Sequence, residues 1–198
     1  MKDSDDADSS SSDITSLKPI PGNGDCFYQC IVEAFLMEGA DVRDHSNVAA
    51  EDNEEGALAL RRIAAMAVTE EMFQNFQLYN KADLDDFQFM SGVDNLDELR
   101  EMIMVSGKEA GPKKCLWANE FEIEAVCKAL DISCLILDMD TKDTSSKYVK
   151  VGLSREKFII LHKSGEHYSL VFKKGVKNKG VVGLEDLTTR ARINWKIG

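Results

Sequence analysis

The chain has 198 residues, 43% hydrophobic and 30% charged, an ordinary globular composition that suits one domain with a tail, or two. Its formal charge is −11, from 35 acidic against 24 basic residues, which disfavours nucleic acid as a partner because a phosphate backbone is gripped by cations. The acidity serves solubility in its simplest reading and attraction to a basic partner surface in a second one.

Met1 to Ser16 is rich in Asp and Ser, with a serine run from Ser9 to Ser12. It lacks the apolar residues that would offset the entropy of ordering, so a disordered tail is expected over residues 1–16, with the folded domain over 17–198. The first residues are acidic and lead to no apolar run, so no secretory signal peptide is expected.

Pro19-Ile20-Pro21-Gly22-Asn23-Gly24-Asp25 is a loop of turn formers that runs straight into Cys26. From there the pattern changes. Phe27, Cys30, Ile31, Ala34 and Phe35 fall at i, i+3, i+4, i+7 and i+8, one stripe of a helix extending to about Glu38. Tyr28, Val32 and Leu36 lie off that stripe, so the helix should be largely buried. Asp25 then stands at the N-cap and Cys26 at the first helical position. Unpaired N–H groups and the helix dipole favour an anion there, which for cysteine is the nucleophilic thiolate.

Gly39 to Asn53 is polar and turn-rich and reads as a loop, with His45 as a surface histidine. Glu54 to Tyr79 carries a long helical pattern with room for a break. Ala82 to Gly92 reads as a short helix or docking loop, and Asn95 to Met104 as a helix with Leu96, Leu99, Met102 and Ile103 inward. Gly107 to Lys114 is expected to be a loop. After Trp117, Asn119 caps a helix with Phe121, Ile123, Ala125, Val126 and Leu130 inward and Glu122, Glu124 and Lys128 outward.

The period then switches to that of strands. Ile132 to Leu137 is a continuous apolar run that reads as a buried strand. Tyr148 to Val151 is a short strand. Phe158 to His162 and His167 to Phe172 form a hairpin across the Lys163–Glu166 turn. Gly180 to Gly198 carries too few apolar residues to place. Helices first and strands last predict an α+β domain, helices packed around a small, mainly antiparallel sheet.

The five cysteines, Cys26, Cys30, Cys115, Cys127 and Cys134, include no CxxC pair, so neither a zinc knuckle nor a disulfide framework is expected. Cys127 and Cys134 sit among apolar residues and read as buried thiols; Cys30 follows the buried stripe. This usage fits an intracellular reducing compartment, the cytoplasm or, for a secreted effector, the cytosol of a host. No segment is apolar for long enough to cross a bilayer.

Within the last hairpin strand, His167, Ser169 and Val171 share one face, while Tyr168, Leu170 and Phe172 share the other and anchor it. A cysteine at a helix start and a histidine at a strand start are the two parts of a thiolate–imidazolium pair. The imidazole takes the thiol proton, the thiolate attacks a carbonyl, and the imidazolium protonates the leaving amine. Backbone N–H groups of Cys26 and the Gly22–Asp25 turn would supply the oxyanion donors. His162, on the partner strand, reads as a structural or surface histidine.

The Pro19–Tyr28 block, the helix start Trp117-Ala118…Glu120…Ile123…Ala125, and the strand Leu161…His167-Tyr168-Ser169-Leu170 occur in that order. Together they resemble the ovarian tumour (OTU) family of cysteine deubiquitinases, from about Leu17 to Phe172. The resemblance implies a papain-like OTU fold and a thiol isopeptidase that hydrolyses the bond between a ubiquitin C-terminus and a lysine, with ubiquitin or polyubiquitin as partner and no cofactor or metal. It places Cys26 as nucleophile and His167 as general base, with Gly22, Gly24 and Asp25 shaping the turn and Trp117 packed beside the histidine. A core tryptophan fits Trp117 as well. The family usually has Asp-Gly-Asn-Cys; here Asn23 and Asp25 hold the reverse arrangement, so an amide stands near the oxyanion site. The family often has Asp or Asn two residues after the histidine; here Ser169 can orient the ring but brings no charge. A ubiquitin-binding module without catalysis, and a thiol enzyme acting on another modifier or a small amide, are the alternatives.

Overall fold

A computed structural model describes residues 15–45, 56–111, 114–143 and 146–197. Among them six strands form one sheet: β1 (Thr15–Lys18), β2 (Ser133–Asp138), β3 (Tyr148–Val151), β4 (Phe158–Ser164), β5 (His167–Lys173) and β6 (Val181–Val182). The order is β1-β5-β4-β2-β3, with β6 against β4. Only β2 and β4 run parallel; the other pairs are antiparallel, as expected of a mainly antiparallel sheet. β6 pairs with Phe158 and Ile159, on the edge of β4 that β5 has left by Ile160.

The helices are α1 (Cys26–Met37), α2 (Val42–His45), α3 (Gly56–Ala67), α4 (Glu70–Lys81), α5 (Leu96–Met104), α6 (Gly107–Ala110), α7 (Glu120–Leu130) and α8 (Thr189–Asn194), with 3-10 turns at Asp85–Met90 and Leu184–Asp186. Strand alternation divides the core. Cys134, Ile136, Ile159, Leu161, Tyr168 and Leu170 face α1 and α7. Leu135 and Phe158 face the other way, toward Val182, Leu187 and Trp195. A third cluster ties α3, α4 and α5 through Ala64, Phe73, Leu99 and Ile103. In α1 the stripe is buried as its spacing predicts; Phe27, Ile31 and Phe35 each contribute about 1.5–3 kcal/mol by leaving water.

Several expectations are corrected. Residues 1–14 of the expected tail lie outside the described residues, but Thr15 and Ser16 already belong to β1, paired with Lys173 and Phe172. The Gly39–Asn53 loop contains α2, and residues 46–53 of it lie outside the described residues. The side chain of His45 does as well. The long helical pattern breaks at Val68 and Thr69, where the Thr69 side chain accepts from Met72 N and starts α4 afresh. Gly107 to Ala110 is a helical turn rather than loop. Glu122 points inward, closing a capping box with Asn119 instead of facing solvent. The unplaced C-terminal stretch covers the far face of the sheet: Trp195 stacks edge-on against Tyr148 and donates to Ile136 O. Cys127 and Cys134 are buried thiols, as expected, with their sulfurs 3.5 Å apart. Cys30 is buried as well.

Candidate active site

The turn before α1 and the start of β5 meet at Cys26. Its side chain is only 2% exposed. The sulfur accepts from Tyr168 N at 3.5 Å and its S–H donates to Glu166 O at 3.9 Å, so it lies against the backbone on either side of His167. A Cβ on Gly22 would come within 3.8 Å of His167 Nδ1, which brings the turn against the imidazole. That Nδ1 is buried and has no hydrogen-bond partner among the described residues. His167 Nε2 lies 3.5 Å from Ser169 Oγ, two residues on along the same face of the strand. The structure therefore brings together Cys26, His167, Ser169 and Gly22. His162 is half-buried and sits opposite Ser169 in the ladder.

Asp25 occupies the N-cap position, but its carboxylate makes no cap bond. It turns inward and accepts from Arg61 Nε (2.7 Å), Gly107 N (3.0 Å), Lys108 N (2.8 Å) and Ser106 Oγ (3.0 Å). Burial alone would push its pKa up, but those N–H donors and the guanidinium outweigh it and hold the carboxyl below its ordinary range. Asn23 Oδ1 accepts from Asp25 N at 3.1 Å, an Asx turn. That bond removes the Asp25 N–H from the donors expected to face an oxyanion.

The expectation of a stabilised thiolate is also corrected. Burial pushes the Cys26 thiol up, and the neighbouring Asp25 charge adds to it; the N–H groups of Tyr168 and Phe27 pull the other way without prevailing. Desolvation therefore opposes the thiolate that the helix start would favour.

A groove of about 980 Å³ reaches from Glu166 and Tyr168, on either side of His167 in the chain, past Trp117 to Phe76, Phe87 and Phe89. Asp85, Asp86, Glu120, Glu124, Asp138 and Glu166 line it, against Lys163, which is paired with Asp138 at 2.8 Å. Trp117 is half-buried; it packs on the main core and walls the groove. Arg61 and Glu122 escaped the sequence reading. The signal for Arg61 was its place on the inward stripe, four residues from both Ala57 and Ala65; for Glu122 it was the spacing of three from Asn119.

No protein-family model matches the chain, and no curated protein sequence does. Among solved structures the chain is similar to an ovarian tumour (OTU) domain in complex with ubiquitin, at 14% identity and a TM-score of 0.50, over 92% of this chain and 81% of that one. Further similar structures are the Hazara virus OTU bound to ubiquitin (14% identity, TM-score 0.44, 82% and 83% covered) and an OTU deubiquitinase from Wolbachia pipientis wMel (13%, 0.43, 89% and 93%).

Proposed function

The protein has the fold of an OTU domain, and from that premise we propose that it is a thiol-dependent deubiquitinase. The observation that carries the reading is the juxtaposition of Cys26 Sγ with the backbone flanking His167, together with the unpartnered Nδ1 of that ring.

With Nε2–H donating to Ser169, Nδ1 holds a lone pair and takes the Cys26 proton. The thiolate attacks the carbonyl carbon at the ubiquitin C-terminus. The C=O electron pair moves to oxygen, where Cys26 N–H and the Asn23 amide stabilise it. The tetrahedral species collapses to a thioester, the C–N bond breaks, and imidazolium protonates the leaving lysine amine. A water, deprotonated by His167, then hydrolyses the thioester and returns the thiol and a carboxylate. The acidic groove with its phenylalanines supports this reading, because it suits a basic, extended peptide chain arriving at Glu166 and Tyr168, whose backbone contacts the Cys26 sulfur.

Incubation with di-ubiquitin of each linkage tests the proposal. Cleavage of at least one linkage, abolished by Cys26→Ala, is the expected result; cleavage that persists in Cys26→Ala removes the assignment. A second reading, a ubiquitin-binding module with impaired catalysis, is favoured by one observation. The Cys26 S–H donates to Glu166 O, a contact the thiolate would lose. It predicts ubiquitin binding with no cleavage of any chain.

A further inference from the structure

Next to the turn that carries the nucleophile lies a buried cluster to which the mechanism gives no part. Arg61, on α3, is 0% exposed. Its Nε donates to Asp25 Oδ1 at 2.7 Å and its Nη1 to Ile103 O at 2.8 Å. Its Nη2 donates to Gly24 O at 3.0 Å and to Leu116 O at 2.9 Å. The flat face of the guanidinium covers the Tyr28 ring, 4.6 Å from its centroid. One planar fork thus joins the turn before Cys26, the end of α5 and the residue preceding Trp117 in the groove wall.

The consequence for the turn is geometric. Gly24 has φ 91°, a conformation that glycine adopts without the steric cost other residues pay. The Gly24–Asp25 peptide is nevertheless held at both polar edges: its carbonyl by Arg61 and its N–H by Asn23 Oδ1. That peptide leads directly into Cys26. The turn is also closed from the α6 side, where a Cβ on Gly107 would fall 1.9 Å from Asn23 O.

We propose that Arg61 is a positioning residue for the nucleophile: it fixes the Gly24–Asp25 peptide and so the aim of Cys26, and it neutralises the Asp25 carboxylate next to the sulfur. This rests on Cys26 being the nucleophile. The arrangement also accounts for the aspartate that stands where the OTU motif has an asparagine. A carboxylate is tolerated directly before the reactive cysteine because a guanidinium is buried against it. Lysine at the same place keeps a positive charge but not the fork: one ammonium cannot sit against Asp25 Oδ1 while also reaching Gly24 O and Leu116 O, so the close pairing with Asp25 is loosened too.

The test compares Arg61→Lys with the double variant Arg61→Gln/Asp25→Asn. The double variant replaces the ion pair by a neutral amide pair and guards against a single variant that fails to fold. Three readouts are taken on protein shown to be folded by circular dichroism: kcat and KM on a ubiquitin C-terminal amide, and the pH dependence of Cys26 alkylation by iodoacetamide, located by mass spectrometry. In Arg61→Lys, kcat is expected to fall by about tenfold or more with KM little changed, and the alkylation midpoint to rise by about half a pH unit as Asp25 loses its close partner. In the double variant the midpoint returns to the wild-type value while kcat stays low, because Gly24 O has lost its donor. Wild-type kcat and alkylation in a folded variant would show that Arg61 serves stability alone and would overturn the proposal. The alkylation profile needs no ubiquitin. An Arg61 effect on it, in a protein that cleaves no ubiquitin substrate, would therefore keep the positioning role while removing the deubiquitinase reading.

Discussion

On the nucleophile side of the cleft, the Gly24–Asp25 peptide is bonded at both edges and Asp25 is gripped by Arg61, Ser106 and the α6 backbone. On the imidazole side, His167 has a serine hydroxyl at 3.5 Å and an Nδ1 with no partner among the described residues. The first region is fixed by charge-assisted bonds in a dry interior, where such bonds are strong. The second depends on one long neutral contact at the end of a strand. The difference locates where each property is set: changes on the nucleophile side act on stability and aim, and changes on the imidazole side act on turnover with the fold intact.

The largest way to break this contrast is Arg61→Ala. It strands the Asp25 carboxylate in the interior, where its side chain is 2% exposed, and removing one partner of such a pair destabilises by about 3–5 kcal/mol. Thermal or urea unfolding should show a large drop; a melting temperature near wild type would mean the turn is not held by this pair. Next is Asn23→Ala, which removes both the Asx bond and the amide proposed for the oxyanion. An oxyanion donor is worth roughly 10²–10³ in kcat, so turnover should fall far more than KM rises. An unchanged kcat places Asn23 outside the site.

The third prediction concerns the cost of the locked side. Glu122 is 1% exposed, and burial pushes its carboxyl up to about 7, with the Asn119 N–H and the Arg61 charge opposing. Its folded value lies above its unfolded one, so its contribution is fully present below about 4.5 and is lost as pH rises through about 7. Asp25 has the opposite sign: its folded value is lowered, so its contribution is present above the ordinary aspartate range and is lost on acidification. Glu122→Gln keeps an acceptor for Asn119 N and removes the charge. It should stabilise the protein by on the order of 2 kcal/mol more at pH 8 than at pH 5. Equal effects at both pH values would show that Glu122 is not burdened by burial.

The smallest effect expected is also the sharpest probe of the imidazole side. Ser169→Asp places a carboxylate beside Nε2, where it can hold the ring and stabilise imidazolium. Loss of the orienting acid in serine proteases costs about 10⁴, and a partial recovery of about tenfold in kcat is expected, with unchanged thermal stability. A large loss of activity in a folded variant would give Ser169 a different task.

Much of this arrangement was legible in local pattern. The stripe from Phe27 to Phe35 fixed α1, the β4–β5 hairpin showed in its alternation, and Asn119 marked the start of α7. What stayed hidden was non-local. The place of Arg61 on the inward stripe of α3 does not say what it pairs with; its partner Asp25 lies thirty-six residues away along the chain. The inward turn of Glu122 follows from a box closed on Asn119, which the outward spacing of its neighbours concealed. Leu187 and Trp195 are too sparse to signal a core; they find one only because the sheet presents Leu135 and Phe158 to them. The burial that opposes the thiolate at the helix start is likewise a quantity that sequence position does not carry.

The most direct test of the central claim, that Cys26 is a nucleophile served by His167, is labelling with ubiquitin bearing an electrophilic C-terminus. Wild type should form one covalent adduct located at Cys26; His167→Ala should form it far more slowly and Cys26→Ala not at all. An adduct that persists in Cys26→Ala, or one that forms at the wild-type rate without His167, would contradict the account.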